Sequence, residues 1–78
     1  MQIEYYPDTD MMSITLSRTP FTVNRSAETD DADIVLLFDE KGFLAETEIQ
    51  HASERVDLDE VRRRLAFEEV RDPKSSAA

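Results

Sequence analysis

The sequence predicts an α+β domain, an antiparallel β-meander of four to five strands with one C-terminal helix packed on the sheet. Three observations carry that expectation. Apolar residues alternate with hydroxyls near the N-terminus, most clearly in Met12-Ser13-Ile14-Thr15-Leu16-Ser17. Ile34 to Ile49 reads as a hairpin, with an aliphatic run, the turn Asp39-Glu40-Lys41-Gly42 and a half-polar return. Past Ile49 the apolar spacing changes from two to that of a helix.

Taken in order, Ile3 and Tyr5 alternate with Gln2 and Glu4 as a first strand, and Tyr6-Pro7-Asp8-Thr9 turns the chain into the second. Phe21-Thr22-Val23 is a short third strand, placed at an edge by its neighbour Pro20. Asn24 to Asp33 has no apolar periodicity; it either loops over the surface or continues strand three irregularly. Ile34 to Phe38 is apolar on both faces, as a central strand would be. The return strand puts Phe43, Ala45, Thr47 and Ile49 on one face and Leu44, Glu46 and Glu48 on the other. Gly42, the single glycine, supplies the positive φ of a hairpin bulge.

The helix starts at Asp57, with Glu60 to complete a capping box and Val56 and Val61 as a hydrophobic staple. Leu58, Val61 and Leu65 form its apolar stripe, while Asp59 with Arg63 and Glu60 with Arg64 are i,i+4 ion pairs. Ala66 to Val70 extends it until Pro73 forbids further turns. Residues 1–71 then form one small domain, followed by a flexible tail over 72–78.

Seventy-eight residues support one thin core, and the absence of cysteine removes disulfides and thiolate metal sites. Together with the lack of a membrane span or signal-peptide layout, this points to the cytoplasm. Eighteen acidic against nine basic residues leave a formal charge of -9. That charge repels nucleic acid and favours a basic protein partner.

No grouping in the chain specifies a catalytic, cofactor-binding or metal-binding residue. His51 is the only histidine and reads as a loop residue. Glu28, Asp30, Asp31 and Asp33 lack the glycine and closing glutamate of a calcium loop and read as solvated turn acids. Arg62, Arg63 and Arg64 point in different directions around a helix and form a salt-bridged outer face. The anomaly is the fourth strand: a helix can cover only one of its faces. Ile34, Val35, Leu36, Leu37, Phe38 and Leu44 are therefore the candidate interaction face, to be covered by a second copy of the chain, another protein or a curled sheet.

Three stretches also resemble a family of small bacterial domains of unknown function typified by YuzE, over roughly residues 1–55. They are Tyr5, Pro7, Asp8 and Asp10 before the strand Met12 to Leu16; Leu36 to Gly42; and Glu48-Ile49 before Ala52-Ser53. The chain departs from the pattern at Tyr6, Glu46 and His51. The resemblance implies a β-meander closed by a short helix or tail, and no established activity, with some relatives resembling partners in two-gene toxin and antitoxin arrangements. The expectation is a non-enzymatic, homodimeric interaction module of the bacterial cytoplasm, antitoxin-like toward a basic protein. The alternative is a small-ligand or divalent-metal-binding accessory domain using residues 28–33.

Overall fold

The structure is a computed structural model and describes residues 1–66 and 68–70. It is α+β, with a six-stranded, mostly antiparallel sheet and two short helices. The strands are β1 (Gln2–Tyr6), β2 (Met11–Thr15), β3 (Val23–Glu28), β4 (Ile34–Asp39), β5 (Leu44–Gln50) and β6 (Glu68–Glu69), with α1 (Ala52–Arg55) and α2 (Leu58–Arg64) between β5 and β6. Strand order is β3-β4-β5-β2-β1-β6. The expected meander is therefore only partly present. β3, β4 and β5 follow one another, but β2 lies beside β5, which makes β2 to β5 a Greek key.

Side-chain matching accounts for that crossover. Met12 stands opposite Ile49 and Ile14 opposite Thr47 on one face, while Ser13 and Thr15 stand opposite Glu48 and Glu46 on the other. Apolar thus meets mainly apolar, and hydroxyl meets carboxylate. The chain from Leu16 to Thr22 must then cross to the far edge of the sheet. On the way Ser17, Thr19, Pro20 and Phe21 line a depression of ≈ 160 Å³ against the hairpin tip Asp39-Glu40-Lys41.

The two hairpin turns form as their residues dictate. Thr9 N–H donates to Tyr6 O across Pro7-Asp8. In the β4–β5 turn Asp39 accepts Gly42 N–H on its carbonyl, and its carboxylate accepts from Lys41 N–H and Phe43 N–H. Gly42 has φ 88, where a side chain would be strained. The extra residue in β5 shifts the register so that Phe38 faces Leu44.

The third strand does not span Phe21 to Val23 as expected: it begins at Val23 and runs through the polar segment to Glu28, with a register irregularity between Val23 and Arg25, and β3 is the sheet edge. β4 is internal, paired with β3 and β5. Asp57 caps α2 by accepting Glu60 N–H at 3.1 Å. The side chain of Glu60 is drawn instead to Arg63 and Arg64, and Asp59 pairs with Arg62 rather than Arg63. Nor does the helix run on to Val70. It ends at Arg64, and Glu68–Glu69 joins the free edge of β1 in parallel, with Val70 N–H donating to Tyr5 O at 2.7 Å. Unpaired backbone groups on that edge outweigh the local helix propensity of the acids. Arg62 stabilises the arrangement by reaching Glu69. A further short helix, α1, was not expected from periodicity, because four residues are too few to show one. The tail expected over 72–78 lies outside the described residues.

The core sits under the helices. Ile3, Tyr5, Met12 and Ala52 are buried together, with Ile14, Ile49, Val56, Leu58 and Val61 packed against them. None of the described helices is long and apolar enough to cross a membrane.

Candidate functional site

The register divides the sheet into two chemically distinct faces. The face under the helices carries the rows Ile34-Ile49-Met12-Tyr5-Glu69 and Ala27-Leu36-Thr47-Ile14-Ile3, then Arg25-Phe38-Leu44. The opposite face carries Glu28-Val35-Glu48-Ser13-Glu4-Glu68 across all six strands, and beside it Ser26-Leu37-Glu46-Thr15-Gln2. Among the described residues, five glutamates share those two rows with no lysine or arginine. Burial raises the Glu46 carboxyl above its ordinary range and the Glu48 charge adds to the rise, while hydrogen bonds from Ser13 and Thr15 oppose it. The alternating hydroxyls of β2 thus support the Glu46 carboxylate of β5.

The six residues of the candidate interaction face are split by this division. Ile34, Leu36, Phe38 and Leu44 lie on the helix-bearing side, beyond the buried cluster, and the Arg25 guanidinium sits 4.2 Å from the Phe38 ring centroid. Val35 and Leu37 point to the acidic side. All five apolar residues of β4 are half-buried.

A second constellation lies at the end of the sheet where α1 begins. Asp10, in the left-handed region at φ 54, brings both its carbonyl and its carboxylate to the first turn of α1. Its carbonyl accepts Ala52 N–H at 2.8 Å. One carboxylate oxygen accepts Ser53 N–H at 3.0 Å and the Tyr5 hydroxyl at 2.7 Å, and the other accepts the Ser53 hydroxyl at 2.7 Å. Asp10 therefore caps a helix 43 positions away, where the N-cap residue His51 offers no side-chain bond of its own. The Ser53 hydroxyl, then the Tyr5 hydroxyl, hold the Asp10 carboxyl below its ordinary range, and that same bond raises the Tyr5 phenol.

The β3–β4 loop is tied to the same helix. His51, also left-handed at φ 54, lies with Nδ1 3.1 Å from the Asp33 carboxylate, which raises its pKa above 6.5. Arg55 pairs with Asp31, and Gln50 N–H donates to Asp33 O. Thr29 and Asp31 close the loop internally. Two of the acids expected to be solvated, Asp31 and Asp33, are thus committed to holding α1, as is the histidine expected to sit in a plain loop. Among the described residues no three His, Cys, Asp or Glu side chains form a group that could hold a metal ion.

Tyr5, Asp10, Ala52 and Ser53 are matched motif positions far apart in sequence, and here they meet. What they build is a structural clasp, with each polar group satisfied by another. Reading the strands one at a time gives no hint of it; the pairing of two separate motif fragments was the available signal. No match to a curated protein or to a solved structure was found. A match to a family described as a protein of unknown function (DUF2283) spans residues 2–53 and ends on Ser53, the last residue of the clasp. By that match, which covers two thirds of its length, the chain belongs to the DUF2283 family.

Proposed function

We propose that the protein is a non-enzymatic interaction module that docks another protein on the helix-free face of its sheet. One observation carries the reading: Glu4, Glu28, Glu46, Glu48 and Glu68 share that face with Val35 and Leu37, without an intervening cation among the described residues. Like charges gathered on one face repel one another, and the Glu46 carboxyl is raised by its burial and then by the charge of Glu48 two residues along the same strand. A basic partner would relieve the repulsion and cover the two aliphatic side chains. In its sharper form the reading is a YuzE-like, antitoxin-like partner that masks a basic protein in the bacterial cytoplasm. Self-association belongs to the other face, where Ile34, Leu36, Phe38 and Leu44 extend past the helices and the one glutamate among the described residues of their rows, Glu69, lies at the far edge on β6.

The test is affinity capture with three baits: the unmodified protein, Glu48→Arg on the open face, and Glu54→Arg on α1. A protein retained by the first and third baits and lost by the second supports the reading. If no protein depends on Glu48, the open face is not a docking surface. Light scattering across a dilution series addresses the dimer separately, and Phe38→Asp should leave only monomer if the helix-side strip pairs two copies.

A further inference from the structure

We infer that the partner element seated on the open face is a basic amphipathic α-helix lying along β4, an inference that rests on the docking reading above. Val35 and Leu37 are successive residues on this face of β4, with Glu28 on the neighbouring strand to one side and Glu46 and Glu48 to the other. Adjacent strands lie about 4.8 Å apart, so acids on β3 and β5 flank the aliphatic pair at a separation of about 10 Å. A helix with its side chains is about 10–12 Å across. Its apolar stripe would therefore rest on β4 while cations on both flanks reach the glutamates.

The spacing along the axis agrees. Two strand residues on one face are separated by about 6.6 Å. Side chains at i and i+4 on a helix are about 6 Å apart. Hence one i,i+4 apolar pair of the helix meets Val35 and Leu37 together.

A helix is favoured over an extended strand for a backbone reason. The open face presents side chains rather than ladder groups, so an extended segment laid on it would leave its own N–H and C=O groups without partners. A helix satisfies those groups internally. Metal ions and small polyamines would neutralise charge but leave the aliphatic pair uncovered, whereas nucleic acid and anionic lipid are repelled by the five glutamates.

The probe is a labelled synthetic helix of leucine and lysine with its leucines on one face, compared with a scrambled peptide of the same composition. Binding is followed by fluorescence anisotropy and by amide chemical shifts of the full chain. The inference expects shifts centred on Val35, Leu37, Glu46 and Glu48. It also expects binding about tenfold weaker for Glu46→Gln/Glu48→Gln than for the unmodified chain or Glu54→Gln. The scrambled peptide should bind more weakly than the amphipathic one. Equal binding of the two peptides, or shifts centred on α2 or the clasp, overturns the helix inference while the face-dependent partner of the capture experiment still stands. Failure of that capture experiment overturns both.

Discussion

The two halves of the sheet invert the relation between apolar content and burial. β4 is aliphatic from Ile34 to Leu37 and ends in Phe38, yet every residue in it is half-buried. β2 has an alternating, hydroxyl-rich sequence, yet Met12 is only 2 % exposed. The difference lies above the strands: α1 and α2 set Ala52, Val56, Leu58 and Val61 over β1, β2 and β5 and stop there. Burial in a chain this small follows the reach of the helices rather than the hydrophobicity of a strand. The surplus of apolar surface on β4 is what an interaction module would use.

The sharpest way to break this comparison is a pair of truncations. Met12→Ala should cost about 2–5 kcal/mol, while Leu36→Ala on the half-exposed strand should cost less than half as much. Urea unfolding of both variants measures the difference, and equal losses would mean that β4 is covered as well as β2. Next in size is the clasp. Asp10→Asn removes the charge that three donors converge on and should lower the melting temperature by more than any single exposed ion-pair substitution.

The clasp also predicts a pH dependence. The folded Asp10 carboxyl titrates below its ordinary value of 3.8, so its contribution is present above that value and lost as pH falls through the depressed one. Urea midpoints from pH 7 downward should therefore fall more steeply in the unmodified chain than in Asp10→Asn. Parallel curves would show that the carboxylate is not linked to folding.

Smaller still is the α2 cap, where Asp57→Ala should cost about 1 kcal/mol. An unchanged melting temperature would mean that α2 adds little to the covered half. Smallest is the His51–Asp33 contact. Its raised imidazole pKa makes the stabilisation complete below 6.5 and lost as pH rises through the folded value. Asp33→Asn should flatten that limb, and amide shifts of residues 29–33 and 51–55 followed through the same titration would show whether loop and helix respond together.

Much of this was legible locally. The β1–β2 and β4–β5 hairpins, the Gly42 bulge, the edge position of the third strand and the Asp57 cap each depend on a few adjacent residues whose backbone preferences decide the outcome. The end of α2 was not legible, because the acids after Ala66 are good helix formers and only the free edge of β1 makes a strand of Glu68–Glu69. Nor was the role of Asp31, Asp33 and His51, which have their partners more than a dozen positions away.

What the sequence determined by itself was the alternation that gives each strand two unlike faces, since a period of two is a property of the strand alone. Which strands stand side by side was decided only in the tertiary structure. Once β2 lay against β5, Ser13 and Thr15 met Glu48 and Glu46, and four separated stretches became one acidic face. Asp10 likewise became a helix cap only when the fold carried Ser53 to it. Long-range pairing is selected by the fit of whole faces, and that fit does not exist until the strands are adjacent.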